Sequence, residues 1–250
     1  MTIGVGFLCR DGVVIGADRQ ITGASYTFPE CKLGGLAWKN GRAVFGYSGS
    51  RDTHQLFRQE LGGRFDSRTE MSEQDLCDLV KASLEASLQK KEQFFLLLGM
   101  YLDGRSPRLF MSTPAPVRIL NVNQCEVIGY GDSPLSRSLI GRFKATPGLV
   151  SVHQARIYAV RFISEAKKYD GQYVGDGIDV YSVETGGTGA PQIRVLDAGA
   201  SPAWEEEVRI MTFWMDVLFN KLTDKDNKLS LDQFTERMNK FREWSDKLSS

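Results

Sequence analysis

Histidine is scarce in this chain. His54 and His153 are the only two in 250 residues, and both sit in helical contexts. A zinc site or a Ser-His-Asp triad therefore has little material to be built from. Cysteine is little more abundant: Cys9, Cys31, Cys77 and Cys125 are scattered, with no CxxC pair. They read as reduced, mostly buried thiols, so neither a metal knuckle nor a disulfide framework is expected. No apolar run approaches the roughly 18 residues of a membrane-spanning helix. No signal peptide precedes Thr2, which predicts a soluble, cytoplasmic protein. Net charge is missing as well, since Lys+Arg and Asp+Glu both total 31. No basic surplus asks for nucleic acid and no charge block asks for a membrane surface. No metal and no organic cofactor is expected.

What the chain does have is a distinctive front end. Thr2 follows Met1 and opens the strand-like run Thr2-Ile3-Gly4-Val5-Gly6-Phe7-Leu8. Removal of Met1, easy when a small residue follows, would leave a threonine with both a hydroxyl and a free α-amine. That pairing needs no histidine, because the hydroxyl is the nucleophile and the amine can act as its base. A Met-Thr start is commonplace, so the continuation carries the weight. Asp11-Gly12 is a hairpin turn signal, and Val13 to Asp18 reads as a second strand ending in a carboxylate. The hairpin brings Asp18 back near Thr2. Lys32 enters the next segment; beside Thr2 it would disfavour protonation of the amine, and Asp18 would keep it charged and in place. An ordinary α-amine has a pKa of about 7.7–8.0, so a small depression makes it a competent base at neutral pH.

Strands are predicted at 2–9, 12–18, 34–39 and 42–48, with Asn40-Gly41 as a second turn signal. A helix follows from Arg51 to Leu61. Ser72-Glu73-Gln74-Asp75 resembles a capping box, opening a helix with Leu76, Leu79, Val80 and Leu84 at helical spacing. Phe94 to Leu102 is apolar enough to be a central strand. Further strands are predicted at 108–112, around 117–128, at 178–184 and at 191–197, with helices at 134–143 and 152–168. This order predicts an α+β fold, a four-layer αββα sandwich over residues 1–200. From Ser201 the character changes. Trp204, Val208, Met211, Met215, Leu218 and Leu222 form one apolar helical stripe, and Phe234, Met238, Phe241 and Trp244 a second. Residues 201–250 are thus predicted to be a helical extension that docks on a neighbouring subunit, on its own chain or on a separate partner. Asp224 to Lys228 lacks the central glycine and terminal glutamate of a calcium loop.

Thr2, the Gly12–Asp18 strand, Lys32 and the Gly46-Tyr47-Ser48-Gly49-Ser50 turn together resemble the β-subunits of the proteasome and their bacterial relatives. Those relatives are N-terminal-nucleophile hydrolases typified by the two-component protease partner of unfoldase ATPases. The resemblance spans residues 2–197 and is strongest over the first 50. It implies Thr2, Asp18, Lys32, Gly49 and Asp170 as the catalytic set, with the Gly49 N–H facing the developing oxyanion. It also implies that a substrate strand pairs near Thr22 and Ser50, and that Tyr47 shapes the pocket for the residue before the cut. The chain departs from the pattern in three places. The Asp18–Lys32 interval is two residues shorter, Tyr130 replaces one accessory serine in Gly129-Tyr130-Gly131-Asp132-Ser133, and Val174 stands for the other.

The function so implied is threonine-type peptide-bond hydrolysis on peptide or unfolded-protein substrates, inside a self-compartmentalising homo-oligomeric ring. An unfoldase ATPase is the partner the resemblance implies. Two alternatives stay open: a ring-forming scaffold subunit with weak or no turnover, and a transpeptidase or amidohydrolase on the same fold.

Overall fold

The computed structural model describes residues 3–22, 27–88, 93–114, 116–129, 140, 150–170, 174–175, 177–185 and 190–196, with the backbone alone at Thr22, Thr27, Tyr169 and Asp170. The chain divides into Met1–Glu205 and Glu206–Ser250. The tail helices expected from Ser201, the helix expected at 134–143 except for the helical Ile140, and the Tyr130–Ser133 loop lie outside the described residues.

Apolar runs without polar alternation should be covered on both faces. β1 (Ile3–Cys9) and β2 (Gly12–Asp18) are: nearly every position is buried. They join β10 (Cys125–Gly129), β11 (Ile178–Thr185) and β12 (Pro191–Leu196) in one sheet of order β10-β1-β2-β11-β12. A second sheet has the order β5-β6-β7-β8-β9, from β5 (Leu33–Trp38), β6 (Gly41–Ser48), β7 (Phe95–Leu102), β8 (Arg108–Pro114) and β9 (Val117–Val122). A separate two-stranded hairpin is formed by β3 (Gln20–Thr22) and β4 (Thr27–Pro29). All these pairings are antiparallel.

Three helices are described: α1 (Arg51–Arg64), α2 (Glu73–Ser87) and α3 (Val152–Asp170). The capping box at the start of α2 is present, with Ser72 and Asp75 satisfying each other's backbone N–H. Phe57 and Leu61 of α1 and Leu76, Val80 and Leu84 of α2 pack against Phe45, Tyr47, Leu96, Leu98 and Phe110 of the second sheet. The opposite face of that sheet, through Val44, Leu97 and Leu109, meets Val13, Ile15, Ala17 and Val183 of the first. Period-two alternation along β6 sends Phe45 and Tyr47 to the helices and Val44 to the other sheet. Ala159 and Ile163 of α3 press on Gly16 of β2. Each fully buried Leu, Ile or Phe in these clusters contributes roughly 1.5–3 kcal/mol. The fold is α+β with predominantly antiparallel sheets.

Three local expectations change. Cys9 pairs with Gly12 and Trp38 with Gly41, so the turns are Arg10-Asp11 and Lys39-Asn40, one residue earlier than expected. Gly12 serves packing instead: a Cβ there would lie 2.1 Å from the Val183 carbonyl oxygen. The stretch 117–128 is not one strand but two in different sheets, because the chain corners at Asn123-Gln124, where the Leu8 N–H holds the Gln124 carbonyl at 2.7 Å. The β3–β4 hairpin was not anticipated.

Candidate functional site

Asp18, the last residue of β2, is a junction. Its Oδ1 accepts the Ile3 N–H at 2.9 Å and the Lys32 Nζ at 2.9 Å, and its Oδ2 accepts the Gln20 N–H at 3.1 Å. The Gly175 N–H is a further donor to this carboxylate. Lys32 Nζ also donates to the Gln20 carbonyl at 2.5 Å. Both side chains of the ion pair are fully buried. Burial pushes the Asp18 carboxyl above its ordinary range, while the Lys32 ammonium and the Ile3 and Gly175 N–H groups pull it back. A fully buried ion pair adds little net stability over an apolar pair, so stability is a weak reason for keeping one.

Lys32 immediately precedes β5, and its carbonyl accepts the Tyr47 N–H of β6 at 3.3 Å. The second sheet thus delivers the lysine, and the first delivers the aspartate. Thr2 lies outside the described residues; its successor Ile3 is the residue whose N–H Asp18 holds. Past the end of β6, Gly49 adopts φ +139°, and a Cβ there would sit 2.6 Å from the Gln93 carbonyl oxygen. A side chain is excluded both by backbone conformation and by space. Ser50 caps α1, its Oγ accepting the Thr53 N–H at 3.4 Å.

Tyr47 is completely buried on the helix side of β6. Its ring stacks on His54, with centroids 3.6 Å apart, and lies 5.6 Å from the Phe94 ring. Any influence on a ligand would pass through what it packs against. The Tyr47 hydroxyl and both His54 ring nitrogens have no hydrogen-bond partner among the described residues. Burial drives the Tyr47 phenol upward and the His54 imidazole down to about 3.

Thr22 ends β3, and its backbone direction follows from its neighbours. Opposite Gln20 stands Pro29, which has no N–H, and the Gln20 N–H and C=O are engaged by Asp18 and Lys32. Antiparallel alternation then makes Ile21–Phe28 the hydrogen-bonded pair and turns the Thr22 N–H and C=O away from β4. Among the described residues no other strand pairs with that edge. Asp170 ends α3, and its side chain lies outside the described residues. After α3, Val174 is buried and Gly175 presses against the Gln20 side chain.

Asp18 and Lys32 are therefore brought together, with Tyr47 on the neighbouring strand β6 and Gly49 and Ser50 just past its end. Sequence reasoning missed Gln20, Gly175 and Ile3, which act through backbone atoms. The Gln20 contact had a signal available, since an aspartate accepting the N–H two residues on is a common Asx-turn arrangement. Among the described residues, no group of His, Cys, Asp and Glu could hold a metal ion, and no helix is long and apolar enough to cross a membrane.

No family model matches the chain, and no curated protein matches it. Solved structures do. The chain is similar to an Anbu (Gly-1) mutant from Hyphomicrobium sp. strain MC1, with 15% identity, 90% of this chain and 99% of that one covered, and a TM-score of 0.73. It is similar to the helical assembly of the Anbu complex from Pseudomonas aeruginosa, with 14% identity, coverage of 89% and 97%, and a TM-score of 0.72. Anbu (ancestral beta-subunit) from Yersinia bercovieri gives 17% identity, coverage of 91% and 99%, and a TM-score of 0.71. At such identities the likeness is one of fold.

These neighbours correct the family resemblance drawn from the motifs. Anbu proteins are proteasome-like but a distinct family, and no family model supports placing the chain among the N-terminal-nucleophile hydrolases. The physical reason lies in the motifs themselves. A carboxylate ending a buried strand, a lysine entering the next sheet and a glycine turn before a helix serve this fold's geometry, so they do not separate one proteasome-like family from another. The chain shares the fold of these Anbu structures.

Proposed function

We propose that the chain is a threonine peptidase in which Thr2, exposed by removal of Met1, cleaves peptide bonds. The single observation carrying this reading is that one buried carboxylate, Asp18, holds both the Ile3 N–H and the Lys32 ammonium. The residue after the nucleophile and the cation meant to act on it thereby share one anchor. Thr2 Oγ attacks the scissile carbonyl, and the α-amine takes the hydroxyl proton. Lys32 lowers the proton affinity of that amine, Asp18 orients Lys32, and the Gly49 N–H receives the oxyanion. Asp170 supports the amine. The amine returns the proton to the leaving nitrogen, and water then releases the acyl-enzyme. The substrate runs as an extended strand between the edge at Thr22 and the backbone at Ser50, with Tyr47 behind the pocket.

The architecture belongs to the same proposal: a four-layer αββα domain over residues 1–200 and a helical extension over 201–250. The Anbu complex of Pseudomonas aeruginosa is a helical assembly, which supports a homo-oligomer here, with the C-terminal extension as a docking element. Peptide or unfolded protein is the substrate class, the compartment is the cytoplasm, and an unfoldase ATPase would feed the assembly.

One observation favours a second reading. Val174 is buried where an accessory hydroxyl was expected, as suits a scaffold subunit with little turnover. Thr2→Ala, compared with a wild type whose intact mass shows Met1 removed, separates the two. Peptidase activity lost in the variant supports the enzyme; equal turnover in both, or retained Met1, overturns it.

A further inference from the structure

We propose that Arg51 is a positioning residue that fixes the width of the groove in which an extended peptide strand is held. This rests on the peptidase reading above and adds to it the side chain that sets the substrate's alignment.

On that reading the substrate strand would have two walls. One would be the β3–β4 hairpin, on its Thr22 side; the other would be the Gly49–Ser50 turn leading into α1. Arg51, the first residue of α1, reaches from the second wall to the first. Its Nε lies 2.7 Å from Glu30 Oε2, and its guanidinium carbon stands 5.0 Å from the centroid of the Phe28 ring. Phe28 belongs to β4, directly opposite Ile21 of β3. The Glu30 N–H holds the Arg19 carbonyl at 2.8 Å, so the carboxylate that Arg51 meets is tied to the Asp18–Gln20 segment.

Helix energetics do not explain an arginine here. A cation in the first turn faces the positive end of the helix dipole, where a carboxylate would be favoured. Nor is the Glu30 Oε2 held by an aligned hydrogen bond among the described residues. Charge attraction and stacking on Phe28 hold the contact. Arg51 has 45% of its side chain exposed and Glu30 24%, so the tie is modest in strength. It spans the two surfaces that must both pair with one substrate backbone. Hydrogen bonds weaken steeply with misalignment, so a small widening of the groove weakens binding to one wall or the other.

The test uses the full chain with Arg51→Ala, Glu30→Gln and Arg51→Lys, none of which touches the reacting atoms. Amide hydrogen exchange at Ile21 and Phe28, the hydrogen-bonded pair of the hairpin, should quicken in the first two and stay near wild type in Arg51→Lys, which keeps the charge. For an extended peptide substrate, KM should rise about 5- to 10-fold in the first two, with kcat within about 2-fold. Unchanged exchange overturns the tie. Faster exchange with unchanged KM, or a loss confined to kcat, overturns the positioning role. If the wild type turns over no peptide, the peptidase reading falls, and the exchange experiment still decides whether Arg51 holds the hairpin.

Discussion

Lys32 Nζ lies 2.9 Å from Asp18 Oδ1, and the two residues arrive from different sheets. Removing either partner takes a buried opposite charge away from the other. Asp18→Asn deprives the ammonium of the carboxylate it meets at 2.9 Å, and Lys32→Met leaves a carboxylate that burial drives still higher. Each single change should cost about 3–5 kcal/mol, while the double variant should recover most of that loss. Urea denaturation of the four proteins measures the coupling. Additive losses would mean that the pair is not a unit.

Gly49 and Gly104 offer a matched comparison. Both have positive φ, at 139° and 68°, but a Cβ at Gly49 meets the Gln93 carbonyl whereas Gly104 has open space. Gly104→Ala should cost about 1 kcal/mol, from backbone strain alone, and leave any turnover intact. Gly49→Ala should cost ~2–4 kcal/mol and abolish turnover, because the turn beside Ser50 must shift. Thermal unfolding and a peptidase assay on both variants check this.

His54 is buried as the neutral imidazole, with its pKa lowered from 6.5 to about 3 by desolvation and by Arg58. Between those two values the unfolded chain binds a proton that the native state refuses. Stability therefore rises with pH across that window and is lost as pH falls from about 6.5 toward about 3, by at most ~4 kcal/mol from this group. The groups bearing on the stacked Tyr47–His54 pair are Arg58, Arg51, Glu30 and Cys31. His54→Phe keeps a ring against Tyr47 and removes the titration. It should match or exceed wild-type stability at pH 7 and flatten the decline between pH 6.5 and 4.5. An equal decline in both proteins would assign the acid sensitivity elsewhere.

Much of the fold was legible because its strands are long and its apolar runs unambiguous: β1, β2, β6 and β7 carry their burial in their composition. The return of Asp18 to the start of β1 was legible for a similar reason, since a short hairpin joins β1 and β2, whereas its meeting with Lys32, which enters from the other sheet, rested on the family resemblance. Other features depend on contacts no local pattern contains. Gly12 is needed by a carbonyl 171 residues later, at Val183, so the turn moves off it. β3 and β4 have three residues each, too few for a period to register. Gln20 and Gly175 contribute backbone atoms to the Asp18–Lys32 site, which side-chain identity does not report. The family resemblance rested on Asp18, Lys32 and Gly49, whose places at strand ends and in a turn do not by themselves distinguish one family of this fold from another.

The corner at Asn123-Gln124 has a mechanical consequence. Val122 finishes a strand of one sheet and Cys125 starts a strand of the other, so two residues, spanning about 7 Å at full stretch, rivet the sheets together. Together with the side chains packed between the sheets, Val13 and Ile15 against Val44 and Leu97, that short link opposes sliding of one sheet over the other, so added room for a ligand is cheapest at the peripheral loops.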